Sequence, residues 1–269
     1  METSKTVVIT GASQGIGRHI AIAFARQTTH HLVLLARNAE NLAKTKTLCQ
    51  ESIAKISRNS QSSGSTETSE LETGALKHST SKHSDRQILS IPVDLVDPNA
   101  VQSISLPVEI PDPSLLILNA GHFLYKPLST TSQVEFQQQI DANLFSAVHV
   151  VSRFLPFMKK RGEGLIVGID SVSALKGNGE SGAYSASKHA LLGYLRSLRQ
   201  ELLPSGIGVS AIHLGQTFSP SWDGSQVNPE QLIDPNDVAN ILLSLTTLSS
   251  RTTIEEITVM PKRGEVPPL

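Results

Sequence analysis

Apolar residues gather in seven short runs: Val7–Ile9, His31–Ala36, Ile88–Val93, Leu115–Leu118, Leu165–Ile169, Gly208–Ile212 and Ile254–Met260. Most lack an apolar–polar alternation, as parallel strands covered on both faces do. Between the first two runs, Ile16, Ile20 and Phe24 fall at i, i+4 and i+8, the stripe of an amphipathic helix. Longer helical patterns cover about 133–160, 183–203 and 235–248. The last opens with Asp234-Pro235, an N-cap followed by proline at the first helical position. Strands and helices in alternation predict an α/β fold: one Rossmann-type, doubly wound parallel sheet of about seven strands with helices on both faces, a single domain over 1–269. The proline-rich stretch Ser103–Ser114 predicts a shortened helix before the fourth strand.

One segment departs from this rhythm. Residues 58–86 hold twelve Ser or Thr and almost no large apolar side chain. Such a stretch cannot bury enough surface to offset its ordering entropy, so it reads as a disordered insertion between the second helix and the third strand. Composition narrows the function classes. Of 269 residues, 39% are hydrophobic and 17% charged, with 23 Lys plus Arg against 24 Asp plus Glu. That balance offers no field for a nucleic acid. The lone Cys49 forms no internal disulfide, and no run is long enough to span a membrane. The expectation is a cytoplasmic protein. The nine histidines show no metal-ligand spacing, and no metal is expected.

The chemistry begins where the first strand ends, in Thr10-Gly11-Ala12-Ser13-Gln14-Gly15-Ile16-Gly17. A glycine-rich turn between a strand and a helix lets backbone approach a pyrophosphate, whose charge meets free N–H groups at the helix N-terminus. Gly11 makes the turn, Gly15 the close approach and Gly17 the tight packing of helix on sheet. At the end of the second strand stands Leu35-Ala36-Arg37-Asn38, with no carboxylate. A guanidinium there pairs with a ribose 2′-phosphate, which favours NADP(H) over NAD(H). Further on, Tyr184 and Lys188 lie at i and i+4 on one helical face, a phenol beside an ammonium. Ser171, at the end of the fifth strand, offers a hydroxyl to a carbonyl oxygen.

Taken together, the Thr10-to-Gly17 run, Asn119-Ala120-Gly121, Asn143, Ser171 and Tyr184-x3-Lys188 occur in the order and spacing of one family. The chain resembles the short-chain dehydrogenase/reductases, over all but the Ser/Thr-rich segment. The resemblance implies that Tyr184 donates the proton in carbonyl reduction and that Ser171 binds the carbonyl oxygen. It implies that Lys188 stabilises the phenolate and holds the nicotinamide ribose, while Asn143 positions a water. Ser13, Gln14, Ile16, Asp94, Leu95, Asn119, Ala120 and Gly121 would line the adenosine and phosphate half of the cofactor site. Gly215 and Thr217 would lie near the nicotinamide carboxamide, although Leu214-Gly215-Gln216-Thr217-Phe218-Ser219 departs from the usual Pro-Gly run.

Asp170 is read as a bystander, pointing away from Ser171 by strand alternation. Residues 215–233 are expected to form a mobile substrate loop, with Trp222 either anchoring it or touching substrate. His122 and Phe123 follow the Asn-Ala-Gly run and are candidates to line the pocket. The expected activity is NADPH-dependent reduction of a ketone or aldehyde, or the reverse. Reduction of carrier-bound 3-oxoacyl thioesters and a non-catalytic NADP sensor are the alternatives. A small-molecule carbonyl or alcohol is the expected partner. Family resemblance, with apolar Val148, Val151, Phe154, Leu155 and Met158 on one helix, predicts a homodimer or homotetramer.

Overall fold

The computed structural model describes residues 5–62 and 86–266. Its strands are β1 (Thr6–Thr10), β2 (His31–Ala36), β3 (Ile88–Pro92), β4 (Pro113–Leu118), β5 (Gly164–Ser171), β6 (Ile207–Leu214) and β7 (Glu256–Val259). They form one sheet in the order β3-β2-β1-β4-β5-β6-β7, and every pairing is parallel. Helices α1 (Gly15–Gln27), α2 (Ala39–Ser62), α3 (Pro98–Gln102), α4 (Gln133–Ile140), α5 (Ser146–Arg161), α6 (Gly182–Leu202) and α7 (Pro235–Thr246) supply the crossovers. β1, β2 and β4 are buried along their whole length, which is why their sequences do not alternate.

Two cores follow from the pleat. Ile9, Leu34, Ile117 and Ile212 face α1, α2 and α7 through Phe24, Cys49 and Leu242. Val8, Leu35, Leu116 and Val209 face α3, α5 and α6 through Val101, Phe154 and Leu195. Burying a side chain such as Phe24 or Phe154 contributes about 1.5–3 kcal/mol. Cys49 is fully buried, and burial pushes its thiol up to about 12. The strand order reverses between β1 and β4, and at such a switch point the C-terminal strand ends part to leave a crevice for a ligand.

Several expectations need correction. α2 runs on to Ser62, so residues 58–62 are helical rather than part of a disordered insertion. Once a helix is nucleated, each added residue gains a hydrogen bond, and the helix can outlast its apolar contacts. At the far end, Arg86 is partly buried and donates to Thr28 O. The rest of the Ser/Thr-rich segment, 63–85, lies outside the described residues. The long pattern over 133–160 is not one α-helix. A π-turn at Asp141–Phe145 separates α4 from α5. Val151, Phe154 and Met158 are buried in the chain's own core, so three of the five apolar residues assigned to an oligomer contact are already used. α3 has five residues, as the prolines after it foretell. Among the described residues no helix is long and apolar enough to cross a membrane.

Candidate active site

The crevice is stapled by two polar residues at the ends of β1 and β4. Thr10 Oγ1 donates to Ile117 O and accepts from the N–H groups of Asn119 (2.8 Å) and Ala120 (2.9 Å). Asn119 Nδ2 donates back to Thr10 O at 3.0 Å. The glycines have steric reasons. Gly11 has φ +65° and passes beside Asn119 and Ala120, while a Cβ on Gly17 would lie 2.3 Å from Gly11 O. α1 therefore starts in contact with the turn. Its N-terminus has no side-chain cap and no acidic residue in the first turn, which leaves its N–H groups for an anion. Ser13 O is engaged from below by Arg18, whose guanidinium also reaches Thr45 on α2. Gln14 is the N-cap residue, Gly15 has φ +53°, and Ile16 packs against the core.

Asn143 sits in the π-turn, the kind of helix irregularity that re-aims a side chain at functional sites. Its Oδ1 accepts the His122 N–H at 2.9 Å, and its Nδ2 donates to His122 O and to Ser187 Oγ, each at 2.9 Å. Ser187 Oγ in turn donates to Tyr184 O at 2.7 Å. A Cβ on Gly121 would collide with Asn143 Oδ1 at 2.6 Å, which explains glycine there. Lys188 is 5% exposed; its Nζ donates to Ile169 O at 2.9 Å and lies 5.9 Å from the centroid of the Tyr184 ring. Ser171 Oγ accepts the Ser173 N–H at 3.1 Å, leaving its own proton to donate elsewhere. Ser185 Oγ binds Ser173 O at 2.8 Å and holds α6 against the end of β5. Tyr184 and Lys188 share α6, which is tied to Asn143 through Ser187 and to the end of β5 through Ser173 and Ile169.

The remaining expected contacts ring the same strand ends. Arg37 is exposed just past β2. Asp94 is exposed and caps the Val96 N–H, while Leu95 is buried with its carbonyl bonded to His149. Gly215 follows β6 and is pressed against Met260 and Pro261; Thr217 is buried, its Oγ1 on Gly215 O at 3.0 Å. The loop beyond is tied rather than free at its ends. Phe218 N donates to Ile233 O, Ile233 N to Gln216 O, and Gln216 Nε2 to Val266 O. Trp222 anchors the loop, donating from Nε1 to Thr217 O at 3.0 Å.

Sequence reading missed three features. Ser219 and Pro220 lie over Gly15, with Pro220 Cδ 3.0 Å from where a Cβ would stand. Buried Gln139 reaches the His122 ring at 2.6 Å. Asp170 does point away from Ser171, but into a buried pair with His213 at 3.1 Å. Only the register of β5 on β6, which sets Asp170 opposite His213, could have revealed that pair.

This fold and this site define a nucleotide-dependent oxidoreductase of the doubly wound α/β type. The model of the short chain dehydrogenase family matches residues 5–68 and 64–228. The chain belongs to that family. It is 28% identical to the uncharacterized oxidoreductase YusZ of Bacillus subtilis, over 90% of this chain and 85% of that one. It is 32% identical to the uncharacterized oxidoreductase YbbO of Escherichia coli, over 78% of this chain and 65% of that one. Among solved structures it superposes on an alcohol dehydrogenase from Thermococcus sibiricus, complexed with 5-hydroxy-NADP, with a TM-score of 0.78. The identity there is 23%, over 98% of this chain and 99% of that one.

Proposed function

We propose that the chain is an NADP(H)-dependent carbonyl reductase, or in reverse an alcohol dehydrogenase, with Tyr184 as the proton donor. The observation that carries this reading is the buried ammonium of Lys188 beside the Tyr184 ring, with the Ser171 hydroxyl at the adjoining strand end. The uncapped α1 N-terminus and the turn at Gly11, Gly15 and Gly17 suit a pyrophosphate. Exposed Arg37, with Ala36 rather than a carboxylate at the end of β2, suits a 2′-phosphate. The solved alcohol dehydrogenase that holds an NADP derivative adds support. Asp94, Leu95, Asn119, Ala120 and Gly121 would line the adenosine half, and Gly215 and Thr217 the nicotinamide half.

Bound NADPH supplies a hydride. The chain must then deliver a proton to the resulting alkoxide from a group already within reach. Tyr184 has that proton, and the Lys188 ammonium stands beside its ring. Ser171 donates its free hydroxyl proton to the carbonyl oxygen and so fixes the substrate's orientation. Asn143 holds the segment His122–Phe123 against the site through its amide. The basic run Lys159-Lys160-Arg161 at the end of α5 offers an acidic carrier protein little, because Lys159 pairs with Glu201 and Arg161 with Glu163.

The test is single-turnover NADPH oxidation with a panel of ketones, quinones and 3-oxoacyl thioesters. Tyr184→Phe keeps the ring and removes the proton, so turnover should fall about 100-fold while NADPH still binds. A Tyr184→Phe variant that turns over like wild type means that another group supplies the proton. Wild-type protein that binds NADPH but reduces nothing in the panel favours the sensor reading.

A further inference from the structure

The end of β5 overhangs one of its neighbours. The ladder to β4 stops at Leu118–Gly168, whereas the ladder to β6 runs on through Ile169, Asp170 and Ser171. Within the sheet these three residues are therefore held from one side only. They also carry groups that the reductase reading needs in place. The Ile169 carbonyl takes Lys188 Nζ at 2.9 Å, and Ser171 offers its hydroxyl. Asp170 stands between them, and its N–H belongs to the same peptide as the carbonyl that anchors Lys188.

One side chain holds the Asp170 carboxylate. Its Oδ2 lies 3.1 Å from Nδ1 of His213, directly across the ladder, and its Oδ1 has no hydrogen-bond partner among the described residues. His213 Nε2 lies 3.3 Å from Glu256 Oε2. A carboxylate only accepts, so with one on each side the ring donates from both nitrogens, which makes it an imidazolium. The charged groups around it are Asp170 on β5, Glu256 on β7 and, beyond Glu256, Arg196 and Arg199 on α6, with Glu255 beside Arg199. Arg196 follows Tyr184 and Lys188 at i+12 and i+8 on α6, so the row of charges ends on the helix that bears both.

We propose that Asp170 and His213 are positioning residues for the reaction: their ion pair fixes the overhanging end of β5, so that the Ile169 carbonyl holds Lys188 beside Tyr184 and Ser171 keeps its place. The proposal rests on the reductase reading above. Both residues act through the 169–171 backbone rather than on the substrate. The hold needs the imidazolium. Burial works against that charge, but the hydrogen bonds and charges of Asp170 and Glu256 outweigh it, and the His213 value lies above the ordinary 6.5. The hold is therefore complete below that ordinary value and is lost as pH rises through the folded one.

The test compares wild type with Asp170→Asn, His213→Ala and His213→Gln, well below their melting temperatures, on the panel compound that wild type reduces with the highest kcat/KM. At pH 6.5 Asp170→Asn should lower kcat about tenfold, short of the ~100-fold that a full misplacement costs, and leave KM for the carbonyl compound within about twofold. His213→Ala should lose as much, and His213→Gln, which keeps an N–H donor, should recover part of it. The ratio of wild-type to Asp170→Asn kcat should shrink toward one by pH 9. A proton step at Tyr184 is common to both proteins and cancels in that ratio. Independently of turnover, 1H–15N spectra of the wild-type imidazole rings should show one histidine still protonated on both nitrogens above pH 6.5, and its signal should be missing from His213→Gln.

Unchanged kcat in the folded variants, a loss confined to KM, or a kcat ratio that does not vary with pH overturns the proposal. So does a His213 ring with a single N–H at pH 6.5, a result that decides the matter even if a variant does not fold. Asp170→Asn fully active beside an inactive Tyr184→Phe removes this proposal alone, whereas Tyr184→Phe active like wild type removes the reductase reading and this proposal with it.

Discussion

Asp170→Asn probes a part of the molecule that lies directly behind the reacting groups. Asp170 and His213 are 3% and 1% exposed, and Asp170 Oδ2 lies 3.1 Å from His213 Nδ1. His213 Nε2 lies 3.3 Å from Glu256, whose carboxylate takes two hydrogen bonds from Arg196 at 2.7 and 2.9 Å. Arg199 stands 3.6 Å from the same carboxylate. Charges therefore alternate in sign from beneath β5 to the surface at β7. Burial disfavours the His213 imidazolium, but the hydrogen bonds and charges of Asp170 and Glu256 outweigh it, and the net shift is upward.

A folded-state value above the unfolded one stabilises the fold fully below about pH 6.5, and the benefit disappears as pH rises through the folded value. Asparagine can still accept from Nδ1 but brings no charge. Losing the charge in a hydrogen bond to an ionised partner costs about 1.5–3 kcal/mol, less than an outright broken buried pair because Glu256 remains. Urea unfolding at pH 5.5 should show that loss. At pH 9, where less of the His213 imidazolium remains than at pH 5.5, the gap should narrow or reverse, since a buried carboxylate without a cation is itself unfavourable. A destabilisation of equal size at both pH values would refute the ionic reading and leave only a packing effect.

Arg37→Ala should weaken NADPH binding tenfold or more while leaving NADH nearly unchanged, because one charge-assisted pair is worth about 1.5–3 kcal/mol; fluorescence titration with both nucleotides decides it, and equal affinities in wild type would contradict it. Gly17→Ala places a Cβ 2.3 Å from Gly11 O and 2.6 Å from Asn119 Nδ2, neither of which is a yielding side-chain tip free to swing away. Overpacking of this kind costs about 1–3 kcal/mol, so Tm should drop by several degrees and NADPH affinity with it. Unchanged values of both would mean that α1 need not approach the turn so closely.

What the sequence makes legible here is chemistry that is local along the chain. A parallel strand buried on both faces announces itself as a continuous apolar run, and β1, β2 and β4 are such strands. The glycine turn and the Tyr184/Lys188 pair each lie within one turn or one helix, so spacing alone brings their groups together. The π-turn at Asp141–Phe145 escapes because it sits inside an uninterrupted helical pattern, and a local change of winding there leaves no gap in the apolar stripe. Asp170 shows the limit most clearly. Alternation correctly turns it away from Ser171, but whether that makes it a solvated bystander or half of a buried pair depends on the strand beside it. That answer is held in the register of β5 on β6, which places His213 opposite it across 43 residues of chain.

The same distinction separates the two halves of the candidate site. The groups assigned to proton transfer stand on β5 and α6 and are readable from one segment, 171–188. The residues after β4 are held by long-range contacts from the π-turn and α4: Asn143 accepts the His122 N–H and donates to His122 O, and Gln139 reaches the His122 ring. Asn143 Nδ2 spends its two protons on His122 O and Ser187 Oγ, partners 21 and 44 residues away, so these contacts exist only in the folded chain. The groups proposed for proton transfer are thus announced by spacing, whereas the seating of 122–123 against Asn143 and Gln139 is set only by folding.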